Sequence, residues 1–235
     1  VVRAMGAVCE AGAAVFMPSM VCHPALRVLN EYDTRPSVHC AAMATLAPLT
    51  ADHPPGLIPS GQLWLPRASL TSCLRAAMVR STVGYELTDA QRLNHFPASP
   101  LCSLSWWFEG QGETLVPRNP GTVATLDCER APLPGRWVLS GPQTAPSTSW
   151  CPDPTEGMMV LLLPDALHQL TGLEPEALTN RFVDAQAALP PDWHPLLEAV
   201  QSQPDSASRL ACLEDFLEPR WQACRPAPLH SAHRY

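Results

Sequence analysis

The sequence predicts an α+β fold in which strands come first and helices last. Three observations carry this. The segment Leu101 to Glu109 alternates, with Cys102, Leu104, Trp106 and Phe108 on one face and Ser103, Ser105 and Glu109 on the other. The apolar run Gly157 to Leu163 is short, unbroken and bounded by Gly and Pro, which reads as a fully buried strand. Beyond Leu163 the apolar spacing turns helical, with caps at helix-length intervals. Strands followed by helices, without β-α-β alternation, give an α+β order.

Residues 1–61 mix Ala, Met, Cys, His and Pro without a period, and Pro54-Pro55-Gly56 and Pro59-Ser60-Gly61 close them with breakers. This stretch is expected to be a poorly structured leader, an over-extended start of translation being one explanation. From Gln62 the pattern improves. Leu65, Leu70, Leu74, Met78 and Val79 fit a helix, or a helical turn running into a first strand. Arg92-Leu93-Asn94-His95-Phe96 is a short polar-aromatic segment stopped by Pro97 and Pro100. After the alternating strand, Gly110-Gln111-Gly112 reads as the turn of a central hairpin. Thr122 to Leu126, Trp137 to Leu139 and Thr148 to Trp150 read as further strands, with turns at Pro132-Leu133-Pro134-Gly135 and Gly141-Pro142.

In the helical part, Asp165 is expected to cap a helix through Leu170 that Thr171-Gly172 ends. Pro175 suits the first turn of another, and Asp192 is expected to cap a third through Leu196, Leu197 and Val200. Asp205 or Ser206 starts a fourth, in which Leu210, Leu213, Leu217 and Trp221 recur at helical spacing. Pro219 falls inside it, and a mid-helix proline costs about 3 kcal/mol, so the helix is expected to kink or end there.

The bulk numbers bound the function. The chain has 235 residues, enough for one large or two small domains, and is 46% apolar. Its net charge of −7 argues against unaided binding to nucleic acid or an anionic membrane, which need a basic surface. Every basic residue is arginine, which fits GC-rich coding better than a functional demand. The nine cysteines form no C-x-x-C pair, so neither zinc nor a disulfide framework is expected, and a reducing cytoplasm is the simplest compartment. No apolar run approaches the roughly 20 residues of a membrane span. There is no G-x-S-x-G, no Gly-rich phosphate loop and no H-x-H metal motif. No enzyme, no metal and no cofactor is therefore expected.

Four stretches carry a resemblance. LPRASLTSCLRAAMVRSTVGYEL, FPASPLCSLSWWFEG, the SGPQT turn, and the apolar strand passing into PDALHQLTG follow one another between Leu65 and Trp221 without a large gap. Together they resemble the N-terminal region of AraC-type bacterial transcriptional regulators. The resemblance implies a cupin-like antiparallel β-barrel or sandwich followed by a small C-terminal helical bundle. It implies that this part senses a small-molecule effector or dimerises, while a separate domain with two helix-turn-helix units reads DNA. The expected division is then a leader at 1–61, a cupin-like β-domain at 62–163, a helical dimerisation subdomain at 164–223 and a linker-like tail at 224–235. The helix-turn-helix domain is expected to be missing, so DNA contact would need another chain, in a homodimer or a mixed dimer with a full-length relative.

Within that frame, Trp106, Phe108 and Trp137 are candidate pocket residues, and plain core packing is the simpler account of Trp106 and Phe108. Arg92, Asn94 and His95 are candidates for a polar ligand at the barrel mouth, Arg92 offering a bidentate grip on a carboxylate; the alternative is a solvated strand. Leu210, Leu213, Leu217 and Trp221 form either a dimer seam or a face packed on the β-domain. Two other readings stay open: a stand-alone cupin-like binding protein or enzyme, and a fragment of a frameshifted regulator gene.

Overall fold

A computed structural model describes residues 61–119 and 122–226, together with the backbone of 27–29. The rest of the expected leader and the tail after 226 lie outside the described residues. In chain order the strands are β1 (Arg27–Leu29), β2 (Gly61–Trp64), β3 (Leu74–Ser81), β4 (Leu93–Phe96), β5 (Cys102–Glu109), β6 (Glu113–Val116), β7 (Glu129–Pro132), β8 (Trp137–Ser140), β9 (Ser147–Trp150), β10 (Glu156–Leu162) and β11 (Phe182–Asp184). The helices are α1 (Pro164–Thr171), α2 (Ala185–Ala188), α3 (His194–Gln201) and α4 (Ser206–Cys224).

Two sheets form an open sandwich. The larger has the order β1-β2-β3-β10-β5-β8-β11, the smaller β4-β9-β6-β7. All pairings are antiparallel except β1 with β2. β10, the continuous apolar run, lies between β3 and β5, but it is not the fully buried strand expected: Met158, Val160 and Leu162 are buried under the helices, while Met159 and Leu161 on the other face are half-buried.

One row of side chains sets the helical face. Trp64, Ala77, Val160, Leu104, Leu139 and Val183 are successive partners across six strands. The next row on this face runs through Val79, Met158, Trp106 and Trp137. A bulge at Leu161/Leu162 brings Leu74 onto the same face as Ala77 and Val79. Against these rows pack Leu167 of α1, Leu196, Leu197 and Val200 of α3, and Leu210, Leu213, Leu217 and Trp221 of α4. One continuous core thus joins strands and helices across the division expected at residue 163.

Several local expectations change. The stretch from Leu65 to Val79 is a 3-10 turn, Ala68–Leu70, followed by β3, so the turn-into-strand alternative holds rather than a helix. Gly110-Gln111-Gly112 does not close a hairpin, because β6 pairs with β7 and β9, not with β5. The turn instead carries the chain from one sheet to the other. Gly110 has φ 66°, and a Cβ there would lie 2.5 Å from the Pro154 carbonyl oxygen. Thr122 to Leu126 forms no strand; it is a loop before β7. Asp165 does not cap α1, which starts on Pro164 with Leu163 as its cap; Gly172 ends it at φ 73° as expected. Asp192 lies in a 3-10 turn, Pro191–Trp193, ahead of α3. Asp205 does cap α4, its carboxylate accepting from the Ser208 amide at 2.8 Å. α4 continues past Pro219 to Cys224. Pro219 and Asp215, the residue whose carbonyl it cannot bond, are both on the exposed side, where water replaces the lost donor.

Candidate functional site

The helices cover one face of the large sheet; the other face turns toward the small sheet and is only partly covered. Three rows line it. Arg80, Gly157 and Trp107 are successive partners on β3, β10 and β5. Met78, Met159, Ser105 and Val138 form the next row, and Ala76, Leu161, Ser103, Ser140 and Phe182 the third. Val138 and Ala76 are buried, while Met78, Arg80, Ser105, Trp107, Met159 and Leu161 keep intermediate exposure. The face is therefore a trough with an apolar floor, a hydroxyl pair where Ser103 and Ser140 bond at 2.8 Å, and one cation.

That cation is Arg80. Its guanidinium donates to the Asn94 side-chain oxygen on β4, which links the two sheets. Among the described residues it takes part in no ion pair. Burial lowers its pKa, since desolvation penalises the charged form. The Cys151 thiol nearby cannot balance the charge, because burial pushes its own pKa up and holds it neutral. Asn94 also donates to the Cys151 sulfur, at 3.6 Å, and to the Arg92 carbonyl, at 3.3 Å. Trp107 shares the row, with its Nε1 buried and without an acceptor. Between the two lies Gly157, where a Cβ would lie 3.7 Å from the Trp107 ring.

A separate hollow of about 180 Å³ opens at the β11 edge, among Leu115, Ala124, Thr148, Asn180 and Phe182. Ala124 also lines a shallower hollow with Leu93 and His95.

The six predicted ligand residues do not come together. Trp106, 1% exposed, faces the helices and donates to the Leu197 carbonyl at 3.2 Å. Trp137 donates to the Gln201 side chain at 3.1 Å on the same side. Phe108 packs there too, under the Arg209 guanidinium at 3.4 Å from its ring centroid. These three aromatics fill the core, and the face they occupy is closed by α3 and α4. Arg92 is occupied by the carbonyls of Leu87, Cys151 and Pro152. Asn94 reaches the trough, and His95, which lines the shallow hollow, meets Thr148 at 3.2 Å.

The proposed dimer residues Leu210, Leu213, Leu217 and Trp221 are all buried within the chain, Leu217 completely. Trp221 also donates to the Ser72 hydroxyl at 3.0 Å. This stripe is the face packed on the sheet, so it is closed to a second copy.

Arg80 and Gly157 escaped sequence reading. The signal was the alternation Ala76, Met78, Arg80 against Ala77 and Val79, which a helical reading of Leu74 to Val79 obscures. Among the described residues no three His, Cys, Asp or Glu side chains converge on a common point. No helix among them is long and apolar enough to cross a membrane. No known protein family, characterised protein or solved structure matches this chain.

Proposed function

We propose that this chain is the effector-sensing part of an AraC-type transcriptional regulator, with a cupin-like β-domain and no catalytic activity of its own. The four stretches that resemble the family support this, as does the sequence of an antiparallel sandwich followed by helices. The observation that carries the sensing role is the division of labour between the two faces of the large sheet. Helices pack over one face, and the other presents Arg80, Trp107, Ser105 and two methionines in a half-covered trough. A small molecule seated there acts by binding one arrangement of the sandwich more tightly than another. Specific DNA contact falls to a helix-turn-helix module on a longer form of the chain or on a partner. Cytoplasmic placement follows from that role.

Dimerisation is the second half of this reading, through a surface other than the buried stripe of α4. Light scattering of the full chain across a concentration series tests it, together with co-purification with a full-length regulator. A dimer, or a mixed dimer, supports the regulatory reading.

A monomer at every concentration supports a second reading, a stand-alone small-molecule-binding protein. The burial of Leu210, Leu213, Leu217 and Trp221 favours that alternative, because it leaves α4 without the apolar seam a helix-mediated dimer uses.

A further inference from the structure

We propose that the trough binds a small organic acid, its carboxylate held by Arg80 and its apolar body lying over Gly157 between Arg80 and Trp107. This deepens the sensing role and rests on the trough being the ligand site, whether the protein is a regulator or a simple binder.

The charge argument comes first. A buried guanidinium normally has a carboxylate partner, because removing a cation from water is costly and only a counter-charge offsets it. Arg80 has a neutral amide oxygen and a neutral thiol beside it, and no ion pair. Arg209, which is buried where Arg80 is half-buried, has such a partner in Glu156. Within one fold, then, the buried arginine is matched by a carboxylate and the half-buried one is left for something outside the chain. Guanidinium matches a carboxylate through paired N–H donors, which makes it the group of choice for that anion.

The shape argument is independent. Neighbouring strands are about 4.8 Å apart, so the β3 and β5 backbones flanking β10 are roughly 10 Å apart. In the row Arg80, Gly157, Trp107 the middle position has no side chain. A cation and an indole thus flank a slot one strand wide. Met78 and Met159 adjoin it, supplying an adaptable apolar lining. Trp107 turns a ring edge to Gly157, its Cε3 lying 3.7 Å from where a Cβ would be, and so supplies an aromatic wall. A cation without a counter-charge on an apolar floor calls for an anionic ligand with an apolar body. A bare anion leaves the indole and the methionines without a role, and a neutral ligand leaves the guanidinium unmatched.

The test is isothermal titration of the full chain with phenylacetate and hexanoate. Phenylacetamide, hexanamide and inorganic phosphate serve as controls, each taken to about 10 mM, well past a millimolar Kd. At least one acid should bind, with its amide and phosphate at least tenfold weaker, the effect of losing a charge-assisted pair. Arg80→Gln should weaken the acid by tenfold or more while the protein stays folded, as far-ultraviolet circular dichroism reads. Should that variant fail to fold, Arg80→Lys, which keeps the cation but not the fork, should bind the acid more weakly than wild type. Binding of amide and acid alike, phosphate binding as strong as the acids, undiminished binding by the Arg80 variants, or no binding of either acid each overturns the inference. The light-scattering result is separate: a dimer that ignores the acids keeps the regulatory reading and removes this one, and a monomer that binds them does the reverse.

Discussion

Arg209 joins the helical layer to the centre of the large sheet, and replacing it measures that junction. Its side chain is 9% exposed and pairs with Glu156, whose side chain is 31% exposed. It also donates to the Gln203 carbonyl at 3.2 Å and lies over the Phe108 ring. Arg209→Ala removes all three contacts at once. A charged hydrogen bond is worth about 1.5 kcal/mol here, discounted because water reaches Glu156. The ring contact adds about 1 kcal/mol and the orphaned carbonyl about 1 kcal/mol. The expected loss is about 3.5 kcal/mol, or a melting temperature lower by about 7–14 °C for a protein of this size. Glu156→Gln keeps the shape and should cost about 1 kcal/mol. The double variant should then be less destabilised than the sum by about 1 kcal/mol, since the second change finds no pair left to break. Urea unfolding of the four proteins gives the cycle. A loss below about 1 kcal/mol for Arg209→Ala, or a coupling of zero, refutes the pairing as the link between α4 and β10.

Leu213→Ala should destabilise by about 2–5 kcal/mol, because Leu213 is 1% exposed in the core, and should leave the solution mass unchanged; a change in mass with stability intact puts the stripe at an interface instead. Asp205→Ala should cost about 1 kcal/mol by removing the α4 cap. The Ser208 amide holds the Asp205 carboxyl below its ordinary value, so this contribution is complete above about pH 4–5 and is lost as pH falls through the lowered folded pKa. Variant and wild type should therefore converge in stability in acid, and a constant difference down to about pH 2 speaks against the cap. Among the cysteines of the described residues, Cys128 should be alkylated first, its thiol pKa lowered by the backbone hydrogen bond at Thr125. Burial pushes Cys73 up to about 12 and Cys102 up to about 11, so mass-spectrometric mapping at mild alkaline pH should find them last.

The strands written as alternation or as an unbroken apolar run, β5, β8 and β10, were legible because the pattern lies within each strand. Gly172 and Asp205 were legible because caps act within a single turn. The β5–β6 connection was misread for a general reason: a two-glycine turn states that the chain reverses, not which strand it meets next. The layer that a face meets is equally invisible locally. Cys102, Leu104, Trp106 and Phe108 were placed on one face, but whether helices or a ligand covered that face depended on α3 and α4, some ninety residues away. Arg80 was missed because its significance is a missing partner, which no sequence displays. α4 does not end at Pro219 because the cost of a proline depends on exposure, and this one sits where solvent can answer the unpaired carbonyl.

The position of β10 has a consequence for how the chain is made. β3 and β5 come off the ribosome early, and each gains one neighbour, from β2 and from β8. Their inner edges stay unpaired until Glu156–Leu162 is synthesised and slips between them. Until then the nascent chain carries two parted, hydrogen-bond-hungry edges facing a gap one strand wide. Closing it is a long-range event, slow relative to helix formation. The residues that make this protein's centre also set the interval in which it is most exposed to pairing with the wrong chain.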